Sequence, residues 1–144
     1  MIALLAAVIV LASAQNTAAP PANTLAEPRQ LAEDAMKYVA ANDFKGLFVH
    51  LGKHMPMKKA ELDAIQAKFA ELRKPLPEAV GKVLGYSFIS ECRKTDVLVR
   101  YTFVERREKS VLRWYFILYK PRNTWHFTNF FMDQDMNALF LSCS

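Results

Sequence analysis

Few side chains in this 144-residue chain have the types and spacing that chemistry requires. His50 and His54, four residues apart, could face one way on a helix and offer two nitrogens to a metal ion. Gly52 between them and Pro56 after them mark a helix end, and no nearby Cys, Asp or Glu supplies a third zinc ligand, so no metal site is expected. Glu105 stands beside Arg106 and Arg107 at the tip of a hairpin and reads as a solvated ion pair. Asp43, Asp133 and Asp135 lie where an acid or base could reach the mouth of a cavity. No Ser-His-acid signature, no Gly-rich phosphate loop and no Gln-x-Val-x-Gly inhibitor hairpin occurs. No catalytic residue and no cofactor is therefore assigned.

The two cysteines, Cys92 and Cys143, can pair in an oxidising compartment. Such a bridge would stabilise by about 4 kcal/mol in the chain-entropy description and pin the C-terminal tail to the sheet. The compartment is inferred from the other end of the chain. Ile2, Leu4, Leu5, Val8, Ile9, Val10 and Leu11 form an uncharged run ending in Ala12-Ser13-Ala14, the small-x-small pattern of a signal peptidase site. Residues 1–14 are expected to be a removed export signal. The run falls short of the roughly 20 apolar residues a bilayer span needs, so no stable membrane insertion is expected after cleavage. The Ala- and Pro-rich stretch 15–24 reads as a flexible spacer, and 25–144 as one domain, exported to a periplasm or secreted.

Three helical patterns open the domain. Thr24 with Glu27 has capping-box spacing while Pro28 suits a first helical position, two starts that compete. Leu31, Ala35, Tyr38 and Val39 share one face, and Asn42-Asp43 supplies a break and the next N-cap. Phe44, Leu47, Phe48 and Leu51 form a second stripe, stopped by Gly52 and Pro56. Leu62, Ile65, Phe69 and Leu72 form a third, ending before Pro75.

From Leu84 to Phe131 the period changes to two, with turns at Arg93-Lys94-Thr95-Asp96, Arg106 to Lys109 and Pro121-Arg122-Asn123-Thr124. One register gathers Tyr86, Phe88, Ser90, Cys92, Val97, Val99, Tyr101, Phe103, Leu112, Trp114, Phe116, Leu118, Trp125, Phe127, Asn129 and Phe131 on a single apolar face for the helices to cover. The fold class is α+β: three N-terminal helices on a curved four-stranded antiparallel meander, with a short C-terminal helix or tail. Within that cup Tyr86, Ser90, Tyr101, Trp114, Trp125 and Asn129 supply hydrogen-bonding groups among hydrocarbon, the composition of a pocket for a small apolar ligand. The alternative is that helices fill the cup and these groups satisfy one another. The opposite face mixes polar residues with Ile89, Leu98, Arg100, Tyr115, Ile117 and Phe130, more apolar surface than a wet face carries, and a homodimer through this face is expected.

The order of three helices, an Asn42-Asp43-Phe44 joint and a meander with Tyr119-Lys120-Pro121 turning into Trp125 resembles the nuclear transport factor 2-like superfamily, the cystatin-like cone fold, and within it the small exported members of unassigned function. The resemblance spans roughly 25–140. It implies a cone-shaped cavity and frequent dimerisation through the sheet. Enzymes of that superfamily, such as ketosteroid isomerases, scytalone dehydratase and limonene epoxide hydrolases, place acidic or His side chains inside the cone, whereas the inward set here holds no Asp and no His.

The formal charge is +5 and the isoelectric point about 9.3, but the cations are dispersed at Lys58-Lys59, Arg73-Lys74, Arg93-Lys94 and Arg106-Arg107 without interleaved aromatics. A solvated surface is expected and no nucleic-acid partner. Three functions follow in order: a non-enzymatic binding domain for a small apolar ligand or protein partner, a cone-fold isomerase, dehydratase or hydrolase with its acid or base outside the sheet, and a structural interaction domain.

Overall fold

Local sequence decides where the helices begin and end. The computed structural model describes residues 27–141 and 143, so the expected leader 1–14 and spacer 15–24 lie outside the described residues. Pro28 takes the first helical position of α1 (Pro28–Ala40), where its missing N–H removes no helical bond. Asn42 adopts a left-handed φ of 55° and Asp43 accepts the Gly46 N–H at 2.8 Å, so the pair ends α1 and caps α2 (Phe44–His54).

Gly52 does not stop α2, contrary to expectation. A Cβ there would meet Leu62 Cδ2 at 2.8 Å, so the glycine serves the close approach of α2 to α3 (Lys59–Arg73). The helix runs on to His54 and ends ahead of Pro56. A fourth short helix, α4 (Leu76–Val80), follows the third and stops at Gly81, whose φ of 82° is accessible to glycine.

Four antiparallel strands follow: β1 (Val83–Thr95), β2 (Leu98–Arg107), β3 (Val111–Tyr119) and β4 (His126–Asp133), hydrogen-bonded in the order of the chain. The architecture is α+β, helices first and then a four-stranded meander, with a short 3-10 turn at Asn137–Phe140. On the inner face Val99, Tyr101 and Phe103 of β2, Leu112, Trp114, Phe116 and Leu118 of β3 and Phe127 of β4 are buried against Leu31, Ala35 and Val39 of α1 and Leu47 and Leu51 of α2. Rings meet at centroid distances of 5.4 Å (Phe69 and Trp114), 5.7 Å (Phe116 and Phe127) and 6.2 Å (Phe103 and Phe116), so aromatic side chains fill the centre of the cup.

The alternating register holds without interruption between β2 and β3 and breaks in both outer strands. In β1, Phe88 faces Phe103 but Ser90 faces Thr102, so Ile89 is an extra residue and Ser90 to Arg93 change sides, until a second extra residue after Arg93 shifts the register again. Ser90 and Cys92 consequently face outward, while Glu91 and Arg93 pair with Tyr101 and Val99. In β4, Phe127 pairs with Leu118 and Asn129 with Ile117, which makes Thr128 the extra residue. Asn129 and Phe131 therefore turn outward, where Phe131 stacks on Tyr115 at 5.6 Å, and Phe130 turns inward against Phe48 at 5.9 Å. These are corrections to the single-face assignment of Ser90, Cys92, Asn129 and Phe131 and to the outward assignment of Phe130. Period-two reasoning counts residues, and a bulge adds one without changing composition.

With Cys92 on the outer side, the sulfurs of Cys92 and Cys143 stand at disulfide distance, their Cα atoms 5.3 Å apart. The chain leaves β4 at one edge of the sheet and Cys92 lies on β1 at the other, so the tail returns across the outer face. Its start is held by Arg113 on Asp133, by the Asp135 N–H on Asp133 at 3.0 Å and by the Ala138 N–H on Asp135 at 3.2 Å. Thr102 and Val104 point outward yet keep only 7 % exposure each.

Candidate functional site

The largest departure from the sequence reading is Glu105, which is no solvated tip residue. Strand β2 continues its alternation through Val99, Tyr101, Phe103, Glu105 and Arg107, and the last two remain on the inner face beneath α3. Glu105 has no exposure. Its Oε1 accepts from Arg73 Nη2 at 2.9 Å and Arg107 Nε at 2.7 Å, and its Oε2 from Arg73 Nη1 at 2.9 Å and Trp114 Nε1 at 2.8 Å. Arg73 is buried as well, because the inner face of α3 advances from Phe69 by four residues; Leu72 is left outside at 64 % exposure.

Burial by itself raises the Glu105 pKa, but the bonds and charge of Arg73, the Trp114 indole and the charge of Arg107 outweigh it, and the net shift is downward. A carboxylate with four donors on its two oxygens has its acceptor capacity filled. It holds three elements together, α3, β2 and β3, and has no lone pair left for a substrate proton.

The other carboxylates are similarly engaged. Asp43 caps α2, Asp133 pairs with Arg113, and Asp135 caps the 3-10 turn. His50 and His54 sit on α2 with ring centroids 5.2 Å apart, both edge-on to Phe127. Nε2 of His50 lies 2.9 Å from the Leu31 carbonyl and donates to it, tying α2 to α1. Burial and the neighbouring His50 lower the His54 pKa, which favours its neutral form.

The six residues expected to share a pocket do not converge. Tyr101 and Trp114 lie in the filled core, and Tyr86 packs on Phe103 at its margin. Trp125 lies near the core surface with Lys120 Nζ 5.1 Å from its ring centre, while Ser90 and Asn129 face outward. Of the residues assigned to a dimer face, Leu98, Arg100, Tyr115 and Ile117 do lie on the outer side, Ile89 is the β1 bulge and Phe130 is inside. The returning tail occupies part of that same side.

An open cavity of about 300 Å³ is found elsewhere, between the end of α2, the face of α3 and the free edge of β4. Met55, Met57, Ile65, Leu72, Phe130 and Met132 form its walls, and Lys68, Thr128 and Asn129 supply its polar groups. The β4 bulge creates it, since the extra residue at Thr128 aims Phe130 and Met132 at α3 and leaves Asn129 at the rim. Methionine, unbranched and polarizable, lines a pocket that accepts varied apolar shapes. Asn129 is the one member of the expected pocket that lines this cavity. The sequence signal for it was the cluster of Met55 and Met57 between two helices, unused because their strand partner depended on the bulge.

Among the described residues no group of three or more His, Cys, Asp or Glu could hold a metal ion, and no helix is long and apolar enough to cross a membrane. No family model matches the chain, and no curated protein or solved structure matches it. Nothing in these comparisons places the chain in the nuclear transport factor 2-like superfamily.

Proposed function

We propose that this is an exported, non-enzymatic binding domain that takes a small apolar or amphipathic molecule in the groove between α3 and β4. The observation that carries the proposal is the contrast between a filled cup, where the one buried acid among the described residues is saturated by four donors, and an open apolar cavity at the rim with three polar groups. The Cys92–Cys143 pairing belongs with it, since a bond there forms and persists in an oxidising compartment. The cone-fold likeness supports a binding role in the same way, by its order of elements.

A neutral apolar fluorophore, N-phenyl-1-naphthylamine, tests the groove directly. Wild-type protein should enhance its emission saturably, and Leu72→Glu, which places a charge on a wall residue already 64 % exposed, should weaken binding roughly tenfold, about 1.4 kcal/mol, with an unchanged melting curve. Linear, unsaturable emission, or equal affinity in Leu72→Glu, would remove the groove from consideration.

A further inference from the structure

Two guanidinium groups converge on one buried carboxylate, so the cluster at Glu105 carries an excess of one positive charge, with side-chain exposures of 7 % for Arg73 and 3 % for Arg107. Their remaining donors show where that excess is directed. Arg107 Nε and Nη1 are used by Glu105 and the Gly81 carbonyl, and both Arg73 terminal nitrogens by Glu105, but no group among the described residues accepts from Arg107 Nη2 or Arg73 Nε. No fully enclosed side-chain nitrogen lacks a partner, so these two donors retain contact with solvent.

Solvent reaches them through two adjoining cavities of about 300 Å³ and about 430 Å³ that share Asn42, Pro77 and Arg107. Arg73 and Lys74 line one and Lys82 lines the other, and no Asp or Glu lines either. Two acids stand beside these lysines: Glu71 holds the Lys74 ammonium at 2.7 and 2.9 Å, and Glu108 accepts the Lys82 N–H and packs on the Gly81 turn. Phe44 gives the first cavity an apolar wall, with the Arg73 Cζ 3.9 Å from its ring centre.

We infer that this cleft, between the α1–α2 joint, the end of α3 and the paired ends of β1 and β2, binds a small organic anion. The oxyanion head accepts from Arg107 Nη2 and Arg73 Nε, Lys82 adds positive charge at the rim beside the Lys74–Glu71 pair, and its apolar body lies beside Phe44. Carboxylate and phosphate share the required chemistry, a compact oxyanion able to accept one N–H from each of two guanidinium groups. The site is separate from the apolar groove, on the other side of Phe69, and does not depend on it.

The test is titration of the full-length ¹⁵N-labelled protein with phenyl phosphate and with benzoate, following the arginine Nε–H and Trp114 indole N–H resonances. Either anion should move the Arg73 and Arg107 signals saturably, and benzyl alcohol, a neutral compound of similar body, should not. Reversing both rim charges, in Lys74→Glu with Lys82→Glu, should weaken binding roughly tenfold while the free protein's Trp114 signal stays in place. Leu72→Glu should bind the anions as wild type does, which separates failure here from failure of the groove. Equal shifts with benzyl alcohol, no saturable shift with either anion, or wild-type affinity in the rim variant would each overturn the inference.

Discussion

Each face of the sheet carries an arginine–carboxylate pair, and the two pairs do different work. On the inner face Glu105 is sealed from water and accepts four hydrogen bonds from Arg73, Arg107 and Trp114. On the outer face Asp133 and Arg113 bridge β3 and β4 with about a fifth of each side chain still exposed, at 22 % and 18 %. The chemistry is the same and the solvent is not. A pair in contact with water gives up little hydration and gains little, whereas a sealed carboxylate such as Glu105 has lost its hydration altogether and depends on its partners. The inner cluster is thus a point where removing one member strands the others; the outer pair is a clasp at the root of the tail.

The strongest test of that difference is Glu105→Ala. Two guanidinium groups would be left without their counter-ion in the core, and the unfolding free energy should fall by about 3–5 kcal/mol in urea titration. A loss under about 1 kcal/mol would mean that water replaces Glu105 between the two guanidinium groups and that the two faces are alike. The same carboxylate predicts an acid limb. Its native pKa lies below the ordinary 4.5, so the unfolded chain binds the proton more readily; stability is fully present above that value and is lost as pH falls through the lower native one. In Glu105→Gln this part of the pH dependence should be missing.

Breaking the Cys92–Cys143 link comes next in size. The span of 51 residues gives about 4 kcal/mol as an upper figure in the chain-entropy description. Cys92→Ser should therefore lower the melting temperature by less than Glu105→Ala, and amide exchange should quicken first around Asn137–Phe140. Exchange that quickens evenly over all four strands would show that the tail is integral to the sheet and not a strap across it. Asp133→Asn should have the smallest effect, about 1 kcal/mol or less, and the difference from wild type should shrink further in 1 M salt, while the Glu105→Ala effect should persist there.

The legible parts of the molecule are those in which one local rule acts alone. Asn42-Asp43 divides two helices because a left-handed position followed by a capping carboxylate leaves few alternatives, and the β2–β3 ladder follows its alternation because the tight turn at Glu108 to Ser110 admits no slip. The alternation even included Glu105, but charge argued against burial and the partner that permits it, Arg73, lies 32 residues away on α3. Gly52 shows the same limit from the other side. A glycine followed by a proline reads as a helix end until a second helix is brought against it.

By itself the sequence determined the succession of helices and strands, the filling of the core by β2 and β3, and the two cysteines available to join tail and sheet, because periodicity, capping and turn chemistry act over a few residues at a time. Only the tertiary structure decided which way Cys92, Asn129 and Phe130 point, that Arg73 and Arg107 meet over Glu105, and where the cavities open. Those outcomes depend on inserted residues in the outer strands, Ile89 in β1 and Thr128 in β4 above all, and on contacts between segments far apart in the chain, which no local pattern encodes.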